Sequence, residues 1–436
     1  MTFTLLSRSA ATTLNSPTTQ HFPQGFTIIA EQVPVEAVNL SLWANVGSAV
    51  EPDRINGMAH FLEHMVFKGT DRLEIGEFER AIEERGAITN AATSQDYTHY
   101  YITTAPKDFA ALAPLQLDVV FNPRIDEDAF EREKSVVLEE IRRSQDSPQR
   151  RSFQRAMEVA FEALPYRRPV LGSVEAIEAL SAQQMRDFHG TWYQPSAMTA
   201  VAVGNLPVEE LIDTVASSFL DVAGDSFSTA APRFSIPQFG SANPEPAFGE
   251  IIRREYVDES IQQARLVMMW RVPGMMQLEK TYALDVLAAI LGKGRTGRLI
   301  RQLREEEGLV SHIGAGNMSQ RLQGIFQVSA QLPTENIATV EAKILDRIRA
   351  LQTAPVLESE LARIRTQVAN RFIFGNETPS DRANLYGYFN ATVGDLNPAI
   401  DYPQTIQSLD LDDLQRAAIE YLSPEAYGIV IIRPKN

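Results

Sequence analysis

The apolar positions of the chain fall into the same succession twice. An apolar run ending in a turn, AVNLSLWANVGSAVE from Ala37, predicts a strand, and QARLVMMWRVPGMMQ from Gln263 repeats it. A helix-period segment follows each, MAHFLEHMVFKGT from Met58 and YALDVLAAILGKG from Tyr282. Next comes a small-residue or Gly-rich stretch, then a strand, THYYITTAP from Thr98 against GIFQVSAQLP from Gly324. A long helix closes each set, DFAALAPLQLDVVFN from Asp108 and NIATVEAKILDRIRALQ from Asn336. Strands mixed with long helices, without βαβ regularity, predict an α+β fold of two related domains, with helices on one side of an antiparallel or mixed sheet.

The segment from Gly224 to Gly249 is Pro-rich and carries almost no periodic pattern, which is linker composition. It divides the chain into a flexible N-terminal tail (1–20), a first domain (21–223), the linker (224–249) and a second domain (250–436). With 436 residues, 44% of them apolar, the chain can build two sizeable cores. A net charge of −16 argues against nucleic-acid binding, since nothing here would neutralise phosphates. No apolar run approaches the ~20 residues of a membrane helix. The N-terminal tail is rich in Ser and Thr but lacks a signal-peptide apolar region, so a soluble, cytoplasmic protein is expected.

The repeat fails at one informative place. Where the second half has ALDVLAAIL, the first has AHFLEHMVF. On a helix His60 and His64 share one face about 40° apart, and Glu63 lies about 60° to the other side of His60. Phe61, Met65, Met58, Leu62 and Val66 take the opposite arc. A polar helix face alone would account for the pentapeptide, but a scaffold that needed it for folding would need it in both halves. The chain has no cysteine, so any metal site must use His, Asp and Glu.

Two histidines are half of a zinc site, and the acidic helix DEDAFEREKSVVLEEIRRSQD can supply the rest. With Glu140 at zero, Glu133 projects at about 20°, between Val136 at about −40° and Val137, Phe130 and Ile141 at about 60–100°. Both glutamates thus fall within the apolar arc, whereas Glu139 and Glu131 fall outside it. Carboxylates buried there are costly unless they pair or coordinate a metal.

HFLEH reads as the inverted zinc-peptidase motif H-x-x-E-H. Together with FEREKSVVLEE it resembles the pitrilysin family, in particular the short two-domain branch that includes the mitochondrial processing peptidases. The similarity extends through GSAVEPDRINGMAHFLEHMVFKGT, NAATSQDYTHYY, WYQPSAMTAVAVGNL and GKGRTGRLIRQLREEEGL. The resemblance implies a zinc metalloendopeptidase with His60, His64 and Glu140 as metal ligands, Glu63 as general base and Glu133 as a second catalytic-site carboxylate that orients a ligand or shapes the site.

It also implies that ITNAATSQDYTHYYITTAP forms an edge strand near the metal, with Asn90, Ala91 and Thr93 where the family lays the peptide. An ordinary strand with a small-residue bend is the alternative. In RQLREEEGLVSHIG, Arg304 matches a substrate-contacting arginine, but Ser311 stands where active relatives carry a tyrosine. His21, His99, His189 and His312 are given structural roles. The family's long members carry four repeat units, so a two-unit chain is expected to recruit a second one. With Ser311 in place, a heterodimer with a Tyr-bearing relative is favoured over a homodimer. Alternative expectations are a peptidase that removes targeting sequences, or a chiefly structural subunit of a peptidase-like complex.

Overall fold

A computed structural model describes residues 16–223 and 243–435. In the first half the order is β1 (Thr18–His21), β2 (Thr27–Gln32), β3 (Val38–Ala44), α1 (Met58–Met65), α2 (Glu77–Glu83), β4 (Ile88–Thr93), β5 (Thr98–Thr104), α3 (Phe109–Phe121), α4 (Glu127–Asp146), α5 (Pro148–Ala160), α6 (Val174–Ala179), α7 (Ala182–Trp192), β6 (Met198–Gly204) and α8 (Val208–Ala223). The second half runs β7 (Ile252–Asp258), β8 (Ala264–Pro273), α9 (Tyr282–Gly292), β9 (His312–Ser319), β10 (Gln323–Leu332), α10 (Ile337–Thr353), α11 (Glu358–Phe374), α12 (Pro379–Val393), α13 (Asn397–Ser408), α14 (Leu411–Tyr421) and β11 (Gly428–Pro434).

The two sheets repeat one topology. Their orders are β1-β2-β6-β3-β5-β4 and β7-β11-β8-β10-β9. In each, one pair is parallel (β2 with β6, β7 with β11) and the strands beyond it run antiparallel. The edge strand beside α1 in the first half, β4, therefore corresponds to β9 in the second. The stretch from Ile88 to Thr104 is a hairpin rather than one edge strand: β4 is the edge and β5 is interior. The tail expected over 1–20 is shorter, because the β-branched pair Thr18 and Thr19 begins β1, paired with Ala30 and Ile29 of β2. Most of the expected linker, and residues 1–15, lie outside the described residues.

The sequence pattern predicts helices on one side of each sheet, and the structure covers both. On the inner face of the first sheet, Ile28, Ala30, Leu40, Leu42, Ala200 and Ala202 pack with Phe61, Leu117 and Val215 of the same half. The alternate residues of those strands, Ile29, Trp43, Val201 and Val203, meet Ala383, Tyr386 and Ala391 of α12. Reciprocally, Met157, Val159 and Ala160 of α5 cover Val267, Met269, Ile325, Val430 and Ile432 on the outer face of the second sheet. Each half thus lends its partner a helix, so alternation along the strands reads as apolar on both faces. A buried ion pair between Glu31 and Arg382, with Tyr386 Oη donating to Glu31 at 2.8 Å, fastens the α12 exchange.

Close seating of α12 depends on Gly387. A Cβ there would come within 2.0 Å of Trp43 Nε1, and Trp43 is 2% exposed. Alanine normally gains ~1 kcal/mol over glycine inside a helix. Overpacking a fixed indole costs about 1–3 kcal/mol or more. Gly387→Ala should therefore lower the thermal midpoint, and an unchanged or raised midpoint in a melting experiment would show that α12 is not held against Trp43.

Candidate metal centre

Glu51 determines where α1, the helix that carries His60 and His64, starts. Its carboxylate accepts from the backbone N–H of Gly57 at 2.8 Å and Ala59 at 2.7 Å, and from Asn56 Nδ2 at 2.9 Å. A carboxylate at a helix N-terminus satisfies otherwise orphaned donors and complements the helix dipole. Burial nevertheless pushes its pKa up to about 7, with those hydrogen bonds opposing. Gly57, at φ +100°, turns the chain into α1 with no room for a side chain, since a Cβ would meet Leu171 O at 2.7 Å. Sequence spacing alone does not reveal Glu51, because it precedes Gly57 by six residues, outside the usual N-cap positions.

Helix α1 presents His60 and His64 to α4. His60 Nε2 lies 3.4 Å from Glu140 Oε2, and His64 Nε2 lies 3.7 Å from the same oxygen. Donors held tetrahedrally about zinc at ~2.0–2.2 Å sit ~3.3–3.6 Å apart, so the spacing fits a zinc ion. One donor atom from each of His60, His64 and Glu140 lies within 4.8 Å of the others, the only such group among the described residues. The surroundings favour a cation too. Glu63, Glu133 and Glu140 converge there, and among the described residues Lys68 is the lysine paired with them.

The two imidazoles are prepared differently. Burial, followed by the neighbouring His64, pushes the pKa of His60 down to about 4, which keeps its lone pair available at neutral pH. For His64, burial opposes the cation, but the hydrogen bond and charge of Glu133, with Glu63 and Glu140, raise the pKa. Glu133 Oε1 is 2.9 Å from His64 Nδ1, and Lys68 Nζ is 2.8 Å from Glu133 Oε2. A proton on Nδ1 donated to Glu133 leaves Nε2 directed at Glu140, the arrangement of a carboxylate–histidine–zinc unit. Burial works to raise the pKa of Glu133, but bonds to His64 and Lys68 prevail and lower it. Glu133 thus fixes the orientation of the His64 ring.

Helix phase is as the sequence suggests, but burial differs for one residue. The Glu133 side chain is 12% exposed, and that of Glu140 is 38% exposed. Glu139 points outward to Arg142 and Arg143. Val136, on the Glu140 side, is exposed as well, so this part of α4 is open to solvent rather than packed in the core.

Glu63 lines a cavity beside the cluster and is held from β4. Thr93 Oγ1 donates to Glu63 Oε2 at 2.5 Å. Burial raises the Glu63 pKa, Thr93 and His64 lower it, and Glu140 raises it. The cavity, about 300 Å³, is lined by Glu63, His64, Phe67, Lys68, Glu79, Thr89, Asn90, Ala91 and Glu133. Asn90 and Ala91 are therefore beside the cluster as expected, and Thr93 reaches it through Glu63. Because β4 is the sheet edge, its outer backbone groups are not paired in a ladder. Asn90 Oδ1 accepts from Ala91 N at 2.9 Å, which shields one of them.

Arg304 and Ser311 are not among the residues lining the cavity. Arg304 pairs with its neighbour Glu305 at 2.6 Å, and Ser311 Oγ donates to Gln263 Oε1 at 2.7 Å. Of the remaining histidines, His99 packs edge-on against Trp43, His189 Nε2 contacts Val120 O at 2.9 Å, and His21 sits by Thr27. His312 opens β9 on an exposed position. The cleft of the second half between α9, β9 and α11 is lined by Ala288, Ala289, Ile364 and Val368 around a half-buried Asp285, bonded to Asn317. Among the described residues no group of three His, Asp or Glu donors gathers there.

The insulinase (peptidase family M16) family model matches residues 27–174, and the peptidase M16 inactive domain model matches residues 179–368. An uncharacterized zinc protease of Mycobacterium tuberculosis is 27% identical over 420 residues, covering 96% of this chain and 93% of that protein. Zinc protease PqqE of Helicobacter pylori is 25% identical over 409 residues, covering 92% of this chain and 90% of its own. The crystal structure of a protease from Helicobacter pylori is similar with a TM-score of 0.88 and 25% identity, covering 96% of this chain and 99% of that chain.

Proposed function

Since this chain belongs to the M16 peptidase family, we propose that it is a zinc-dependent endopeptidase acting on short or unfolded peptides. The observation that carries this reading is the placement of Glu63, bonded to Thr93, between a His60–His64–Glu140 donor set at zinc spacing and the open edge of β4. A zinc ion held by those three residues would supply Lewis acidity, lowering the pKa of a coordinated water toward ~7.

The chain's own groups do the rest. An extended peptide adds to the free edge of β4, where backbone pairing accepts many sequences and side-chain pockets add preference. Binding there displaces the Asn90 side chain from Ala91 N. Glu63 accepts the proton of the attacking water and delivers it to the departing amine. Thr93 holds one Glu63 oxygen, so the other remains free to move the proton. Phe67, Thr89 and Ala91 form the apolar wall beside it.

Unstructured peptides of a few tens of residues should be cut and a tightly folded domain should resist, because strand addition needs an extended segment. Rapid internal cleavage of a stable folded protein would overturn that substrate class. Arg304 and Ser311 both stand outside the cavity, and Ser311 lacks a phenol. A related, Tyr-bearing second subunit would supply that donor, so the active species is proposed to be a heterodimer. Mixing with such a subunit should raise activity. Zinc-loaded protein that cleaves no unstructured peptide, alone or mixed, would overturn the peptidase reading.

A further inference from the structure

The second domain meets the turn that follows β4 at a buried carboxylate, Asp96, beside which Tyr388 packs edge-on against Tyr97. The turn between β4 and β5 (residues 94–97) meets the turn between β9 and β10 (residues 320–322), which is its counterpart in the repeat. Asp96 Oδ2 accepts from the backbone N–H of Arg321 at 2.8 Å. Asp96 Oδ1 accepts from Tyr166 Oη at 3.0 Å, and the same phenol oxygen accepts from Leu322 N at 3.1 Å. All three side chains are shut off from water: Asp96 is 5% exposed, Arg321 1% and Tyr166 0%.

From Asp96 a hydrogen-bonded path leads to the catalytic helix. The carbonyls of Ser94 and Gln95, in the same turn, accept from Ser48 N at 3.1 Å and Ala49 N at 2.8 Å. Shortly beyond them, Glu51 caps the start of α1. In the other direction, Thr93 directly precedes the turn and holds Glu63. Gly47 is required where the strands meet, since a Cβ would lie 2.3 Å from Ser94 O.

We propose that Asp96 is a positioning residue: clamped by Tyr166 and the Arg321 backbone, it fixes the β4–β5 turn and so sets Thr93, Glu63 and the start of α1 in reactive alignment. The metal-free domain then contributes to chemistry by holding this turn. This inference rests on the peptidase reading. A misplacement of about 1 Å in a general base can cost ~100-fold in rate.

Asp96→Asn keeps the shape but turns one acceptor into a donor facing either Arg321 N–H or the Tyr166 hydroxyl. In zinc-loaded protein, kcat per folded molecule should fall about tenfold or more, with KM and zinc content unchanged. The double variant Asp96→Asn with Thr93→Val should lose little beyond the worse single change, because both act through Glu63. Independent, multiplying losses, or an unchanged kcat, would overturn the inference while leaving the peptidase reading intact. Should Asp96→Asn not fold, Tyr166→Phe, which removes the hydroxyl's bonds to Asp96 and Leu322 N and keeps the carboxylate, is held to the same coupling test. If wild type cleaves no peptide, the peptidase reading fails. Amide exchange then decides: faster exchange in residues 58–66 and 88–96 of either variant supports the clamp, and unchanged exchange overturns it.

Discussion

Glu63→Gln should retain one zinc ion per chain and hydrolyse peptides about 10²–10⁴-fold more slowly than wild type. Glu63 is not in the three-residue donor group, so the amide removes no ligand. The carboxamide oxygen can still accept the hydrogen bond from Thr93, so the local structure should persist. What the variant loses is the basicity needed to take a proton from water. Metal analysis together with single-turnover cleavage of an unstructured peptide checks both halves. Loss of zinc from this variant would make Glu63 a ligand.

Removing a ligand should have the larger effect. His60→Ala, His64→Ala and Glu140→Gln should each bring peptide hydrolysis to background and abolish zinc retention through dialysis. The donor geometry explains why. Among the described residues three donors converge with no fourth His, Asp or Glu in the group to take over, and a two-donor site holds zinc weakly. The wild-type chain should gain thermal stability on zinc addition, ~2.7 kcal/mol at a free concentration about a hundred times Kd. These variants should not gain it. Glu133→Gln should fall between, weakening zinc binding about 10–100-fold by loosening His64. Glu139→Gln should match wild type, because Glu139 faces Arg142 and Arg143. Zinc loss from Glu139→Gln but not Glu140→Gln would reverse the assigned phase of α4.

The contrast between α4 and its surroundings shows which parts of the structure the sequence makes readable. A helix converts spacing into direction, so residue numbers alone place Glu133 and Glu140 on one face, with Glu139 off it. The repeated strand and helix patterns likewise announce two related domains. Spacing carries no information about what lies opposite, however. Glu51 reaches the start of α1 across an irregular segment, Asp96 meets Tyr166 across 70 residues of the same half, and it meets Arg321 only because two turns from different halves converge. The repeated pattern does not say which sheet α5 and α12 cover. The exchange is decided by shape, as at Gly387 against Trp43, and such shape matches leave no period to detect. Exposure is also misjudged at Glu140, because an apolar-flanked stripe open to solvent and one facing a core share the same periodicity.

The helix exchange also governs the order in which the chain can mature. Glu31 and Tyr386 are bonded across 355 residues of sequence, and the outer face of the first sheet is complete once β6 ends at Gly204. Its cover, α12, ends at Val393. At the ~5–20 residues per second of synthesis, the sheet face bearing Ile29, Trp43, Val201 and Val203 must wait roughly ten to forty seconds for that helix to be made. During this interval the nascent first domain displays an uncovered apolar surface, the kind that chaperones engage and that drives aggregation. Contacts this distant in sequence also make for slow folding. The first domain is therefore a kinetic dependant of the second, and a ribosome stalled before Pro379 would hold the metal-bearing half with one side of its sheet bare.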